Sequence, residues 1–128
     1  MENKFLGADP CLEDGPKGRG WNEFEIQAYI VMELRRAGYV VHGDANGASK
    51  TPKGWGQAQA AGMMPGWPDL CIMVFGRPMW VELKTKDGRL SKEQKGLHAH
   101  MTRMGYSCAV VKAATPADGL EKVRVLLR

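Results

Sequence analysis

Three residues on two consecutive apolar stretches could do chemistry together: Asp69 in Pro68-Asp69, then Glu82 and Lys84 in Val81-Glu-Leu-Lys-Thr85. Side chains alternate along a strand, so Trp80, Glu82 and Lys84 share one face while Val81 and Leu83 take the other. A carboxylate and an ammonium in an otherwise apolar element carry a solvation cost unless they pair or serve a ligand. Asp69 opens the preceding strand, and hairpin pairing can bring it close to Glu82. Two carboxylates so placed repel each other, and a hard divalent cation relieves that repulsion. Mg2+ takes oxygen ligands and keeps several waters, so two carboxylates and a substrate phosphate make a sufficient site. Such an ion acidifies a bound water and neutralises charge building on a phosphodiester. Lys84 would then position the water or stabilise the charge. Each piece alone has an ordinary reading, as a Pro-Asp turn or a solvated ion pair on a strand face. The combination on consecutive strands favours a metal site.

Two further polar residues fall into line with these. Glu23 aligns with Gln27, Ile30 and Leu34 along a core-facing row, whereas Glu25 lines up with Tyr29, Met32 and Arg36 and is accounted for by capping. Glu23 is therefore preferred to Glu25 as the acid that reaches the site, although the helix dipole alone would also favour a first-turn acid. Gln94 shares a helix face with Leu97, His98 and Met101 and is predicted to point inward, able to bond a phosphate, a water or Lys84. A solvated first-turn residue is the plainer alternative. Asn46, Ser49, Lys50 and Lys53 could contact phosphates and Trp55 could stack on an exposed base, or this segment is a surface loop with incidental charge. His42, His98 and His100 are expected at surface or boundary positions. His98 and His100 point apart on a helix, which argues against zinc.

The elements that must position these groups are legible from caps and periodicity. A first helix is predicted over 23–37, with Asn22 as N-cap, Glu25 completing a capping box and Gly38 as the stop. Its apolar residues Phe24, Ile30, Val31 and Leu34 follow helical spacing. A short strand is predicted over 39–42, and 43–66 reads as a long loop without a core pattern. Residues 70–75 are apolar on both parities, the pattern of a strand buried on both faces. After a turn at 76–78, a strand over 79–85 completes a hairpin. Ser91 caps a helix through 104, with Leu97, Met101 and Met104 inward and Gly105 as its end. A strand over 106–112 follows. Thr115 and Pro116 open a last helix that turns Leu120, Val123 and Leu127 inward. The predicted order is α-β-β-β-α-β-α.

A chain of 128 residues fits one domain, here 21–128, preceded by a flexible arm over 1–20 that is rich in Gly, Pro, Asp and Lys. Hydrophobic residues at 44% and charged residues at 25% exclude disorder over most of the length. Nothing approaches the roughly 18 apolar residues of a membrane span, and the opening residues lack the pattern of a secretory signal. A cytoplasmic protein is expected. Its formal charge of +4 suits a nucleic-acid partner without requiring one. Cys11, Cys71 and Cys108 are widely spaced, which points to reduced thiols and away from structural zinc.

Taken together, Gly66-Trp-Pro-Asp-Leu70, Val81-Glu-Leu-Lys-Thr85, Gly88-Arg-Leu-Ser91 and Gln94 resemble the VRR-NUC domain of the PD-(D/E)XK nuclease superfamily. The similarity extends to Glu23-x-x-Ile26-Gln27 and to Gly105-Tyr106, and so spans residues 22–113. The resemblance implies an α/β fold with a restriction-endonuclease-like core, a mixed β-sheet flanked by helices. It also implies Mg2+- or Mn2+-dependent endonuclease cleavage of DNA, with structure-selective cutting at junctions or flaps. Asp69 and Glu82 would bind the metal, Glu23 would be the family's helix acid beside them, Lys84 the catalytic lysine and Gln94 the family glutamine. Small stand-alone relatives occur in phages and bacteria and often form homodimers. The arm over 1–20 does not match the family pattern, and Trp67 is bulkier than the small aliphatic residue usual there. A non-cleaving DNA-binding module on the same fold, or an RNA-directed enzyme, are the alternatives.

Overall fold

A computed structural model of the chain describes residues 7–44 and 51–128. Its elements run α1 (Glu23–Arg36), β1 (Val41–Gly43), α2 (Pro52–Ala60), β2 (Leu70–Val74), β3 (Arg77–Thr85), α3 (Lys92–Arg103), β4 (Ser107–Ala113) and α4 (Pro116–Leu126). The strands form one four-stranded sheet in the order β1-β2-β3-β4. β1 and β2 pair antiparallel, β2 and β3 form the expected antiparallel hairpin, and β3 and β4 pair parallel with α3 as the connection. The sheet is therefore mixed, and helices flank it on both faces.

Register assigns the two faces of the sheet. Leu70 pairs with Val81, Ile72 with Met79 and Leu83 with Val111, so these residues share one side. On that side they meet Ile26, Ile30 and Leu34 of α1 and Leu120 and Val123 of α4, which form the buried core. Each such side chain contributes about 1.5–3 kcal/mol when fully buried, so this face holds the molecule together. Gly119 lets α4 come close: a Cβ there would lie 3.1–3.2 Å from Ile30, Ala113 and Ile26. The opposite face carries His42, Cys71, Trp80 and Cys108 in one row, then Glu82 with Val110, then Lys84 with Lys112. α3 lies on this second face, beside β4 and over Glu82.

Local chemistry explains the boundaries. Asn22 and Glu25 form a reciprocal capping box at the start of α1, and Ser91 and Gln94 form another at the start of α3. Thr115 caps α4 with Pro116 in the first turn. Between residues 7 and 21 the chain lies against the N-terminal ends of α1 and α4. The Pro10 carbonyl accepts from Ala117 N–H, the Leu12 carbonyl accepts from Trp21 Nε1, and Arg19 makes a bidentate pair with Glu25 at 2.9 and 3.0 Å.

Several expectations need correction. The stretch over 43–66 contains α2, a helix that buries no side chain and is capped by Thr51 with Pro52 behind it. Because it contributes nothing to the core, it carries no apolar stripe. β1 begins two residues later than expected, at Val41. β2 is buried on one face only: Leu70 and Ile72 are covered, whereas Met73 is 52% exposed and Phe75 projects fully into solvent. The second face of this strand is left open, so apolar parity overstated its burial. Phe24 and Met104 also face outward, each a helical step off the rows that pack. His98 is buried rather than peripheral. Among the described residues, no helix is long and apolar enough to cross a membrane.

Candidate active site

Two consecutive strands and two helix ends bring the candidate residues together. Pro68 is fully buried and anchors the turn before β2, which sets Asp69 at the strand's mouth. Asp69 Oδ2 accepts from Leu83 N–H at 2.7 Å, tying the aspartate directly to β3. Its carbonyl accepts from Asp44 N–H at 2.7 Å, which ties it to the end of β1 as well. Glu82 lies on β3 on the open-face side beneath α3 and is only 1% exposed. Glu23, in the first turn of α1, reaches over the end of the sheet. One carboxylate oxygen from each of Glu23, Asp69 and Glu82 lies within 4.8 Å of the others.

Lys84 completes the constellation. Its Nζ stands 3.7 Å from Glu82 Oε2 and 4.0 Å from Glu23 Oε1, and the residue is 9% exposed. Gln94 Nε2 donates to Glu82 Oε2 at 3.2 Å, while Gln94 Oε1 accepts from Ser91 N–H in the capping box. Gln94 thus meets Glu82 rather than Lys84. Glu25 is engaged elsewhere. Burial pushes its carboxyl up, but Arg19 and Asn22 N–H outweigh that and hold it below the usual range. Of the two first-turn acids, Glu23 is the one that lies beside Asp69 and Glu82.

The electrostatics are those of crowded acids. Glu82 is pushed up to about 9, chiefly by burial, then by its hydrogen bond and repulsion with Asp69, with Lys84 pulling the other way. Glu23 is raised as well, by burial and by Asp69 against the opposing pull of Lys84. Beside them the Cys108 thiol is pushed up to about 11, by burial and then by Glu82, so it is a poor nucleophile. One oxygen, Glu82 Oε1, is buried and has no hydrogen-bond partner among the described residues. A buried carboxyl oxygen without a partner is costly, and a cation that displaces the Glu82 proton would satisfy it. The donors here are all oxygens, and they outnumber the neighbouring amine, which suits a hard divalent ion such as Mg2+ or Mn2+.

One buried residue in this neighbourhood was given no role in the sequence reading. His98 of α3 places Nε2 3.1 Å from the Gly66 carbonyl and 3.8 Å from Glu82 Oε1. Its position one turn after Gln94 on an inward face was the available signal. Trp67 packs edge-on against Trp80, with ring centroids 4.9 Å apart at 75°, so the bulky residue before Pro68 is seated on the open face of β3. Lys53 and Trp55 lie on α2, with Lys53 exposed. Asn46, Ser49 and Lys50 lie outside the described residues.

No protein-family model matches the chain, and no curated protein matches it. Solved structures do. One described as a VRR_NUC domain protein superposes with a TM-score of 0.62 at 18% identity, over 85% of this chain and 92% of that one. A second, described as a VRR_NUC domain, gives 0.53 at 20% identity, over 81% and 91% of the two chains. The chain therefore has a VRR-NUC fold, with the mixed sheet and flanking helices expected of a restriction-endonuclease-like core.

Proposed function

We propose that this chain is a metal-dependent DNA endonuclease that hydrolyses phosphodiester bonds, with flaps or junctions as its preferred substrates. The observation that carries this reading is the meeting of three carboxylates, from Glu23, Asp69 and Glu82, within 4.8 Å and beside the Lys84 amine. The VRR-NUC fold supports it, since structural relatives of that description share the architecture over most of their length.

On this reading Asp69, Glu82 and Glu23 hold Mg2+ or Mn2+. When bound, the ion supplies charge neutralisation and an acidified water. The chain's own residues do the rest. Leu83 N–H fixes one oxygen of Asp69, so the aspartate presents a set geometry before any ligand arrives. Gln94 holds Glu82 Oε2 and leaves Oε1 for a cation. Lys84 places a positive charge where negative charge accumulates on the phosphate oxygens. Glu23, at the more exposed rim, closes the set from the helix side. The formal charge of +4 favours a polyanionic partner.

The test is incubation of the purified chain with Mg2+ or Mn2+ and a panel of duplex, flap and four-way-junction DNA, with RNA competitors alongside. Cleavage that stops with chelator and with Lys84→Ala supports the reading. No cleavage of any substrate, or undiminished cleavage by Lys84→Ala, overturns it. Binding of DNA without cleavage or Mn2+ uptake would instead identify a non-cleaving module. The homodimer that belongs to the same reading is tested by sedimentation of the chain with and without junction DNA.

A further inference from the structure

His98 is 7% exposed, and its two ring nitrogens have opposite fates. Nε2 lies 3.1 Å from the Gly66 carbonyl, whereas Nδ1 is buried with no hydrogen-bond partner among the described residues. A carbonyl only accepts, so Nε2 carries the hydrogen and Nδ1 is a bare lone pair. An imidazole with one nitrogen unsatisfied is an expensive filler, and an apolar side chain of similar size would avoid the cost. The part of His98 that does something is the Nε2–H donor.

That donor holds a particular carbonyl. Gly66 precedes the Trp67-Pro68-Asp69 turn, and its backbone lies hard against the first turn of α3. A Cβ at Gly66 would sit 2.8 Å from the Glu93 carbonyl group and 2.9 Å from Gln94 N, and its φ of +87° lies in the left-handed region that favours glycine. The turn is rigid beyond that point: Trp67 is seated on Trp80, and Pro68 is fully buried. The first two turns of α3 therefore touch both acid-bearing segments. Gln94 bonds Glu82, and one turn later His98 bonds the segment that ends in Asp69.

We propose that His98 is a positioning residue: through the Gly66 carbonyl it locks the Pro68-Asp69 turn onto α3, and so sets the spacing of Asp69 from Glu82. This rests on the metal-site reading for its consequence, but the spacing itself can be followed without metal. Leu83 N–H donates to Asp69 Oδ2, so its amide exchange reports where Asp69 sits.

Three variants of the full chain separate a positioning donor from a merely buried polar group. His98→Gln carries an amide nitrogen near the place of Nε2, His98→Asn carries it near Nδ1, and His98→Leu has none. Each is measured by calorimetric titration with Mn2+ and, in the metal-free state, by hydrogen exchange at the Leu83 amide. Supporting partners of metal ligands typically matter about ten- to hundredfold in affinity, so His98→Leu and His98→Asn are expected to weaken Mn2+ binding by about tenfold or more and to speed Leu83 exchange. His98→Gln is expected to stay within about threefold of the wild type on the same scale. Equal behaviour of the Gln and Asn variants, an unfolded Gln variant, or wild-type exchange at Leu83 in the Leu variant would overturn the proposal. If the wild type takes up no Mn2+, the metal-site reading fails, while the exchange series still decides the role of His98.

Discussion

Gln94 donates through Nε2 to Glu82 Oε2 at 3.2 Å while its Oε1 accepts from Ser91 N–H at 2.8 Å. One side chain therefore closes the N-terminal cap of α3 and orients the buried acid of β3. A polar residue in the first turn of a helix thus couples helix stability to the site.

Gln94→Leu breaks both bonds at once. Loss of one partner in each hydrogen bond is expected to lower stability by about 1–3 kcal/mol in chemical denaturation. Cleavage is expected to fall about ten- to hundredfold, because Glu82 loses the group that orients it. A variant with unchanged cleavage would show that Gln94 is a cap and nothing more.

Lys84→Met keeps the aliphatic stem and removes the charge. Steady-state kinetics are expected to show kcat reduced by about a hundred- to a thousandfold, the size seen when one preorganised electrostatic group is lost. Mn2+ affinity should not fall, since a cation has been taken away from three acids. Weakened Mn2+ binding with normal turnover would reverse the assignment.

Glu82 makes the metal-free protein sensitive to pH. Its folded pKa stands at about 9 against 4.5 for the ordinary carboxyl. Between those values the folded chain keeps a proton that the unfolded chain releases, so this group's contribution is fully present below about 4.5 and is lost as pH rises toward about 9. Denaturation across that window should show stability declining with pH, and Glu82→Gln should flatten the slope. Because the ion must displace the same proton, Mn2+ affinity is expected to rise over the same range.

Gly66→Ala tests the contact between the Asp69 turn and α3. The new methyl meets backbone atoms of Glu93 and Gln94 below 3.0 Å and demands a positive φ from an alanine. A loss of about 1–3 kcal/mol is expected from the strained conformation alone, read as a lower midpoint of unfolding. Metal affinity should fall with it. A neutral variant would mean the turn can swing away from the helix at little cost.

Much of this arrangement was visible in the chain because local rules and global packing agree. The caps at Asn22, Ser91 and Thr115, the hairpin, and the alternation that sets Glu82 and Lys84 on one face all follow from short-range chemistry. Helical phase set Glu23 on the row of Ile30 and Leu34, apart from the capping acid Glu25. What was missed depends on partners far apart in sequence. Among the described residues α2 buries no side chain, so no apolar stripe marks it, although Thr51-Pro52 carried the cap signal. Met73 and Phe75 look like core residues until the topology leaves their face uncovered. His98 became interpretable only once the carbonyl of Gly66, thirty-two positions away, came into reach.

β3 runs between β2 and β4, but its register with β2 ends at Leu70–Val81, so Glu82 and Lys84 are laddered to β4 alone, opposite Val110 and Lys112. On the other edge the Leu83 amide is held by the Asp69 side chain in place of a strand partner. Partial fraying at the periphery can shift Glu23, at the first turn of a helix, without dispersing the pair. The acid–amine couple is thus fixed along one seam, and adjustment to an incoming ligand falls to the rim and to the Asp69 side.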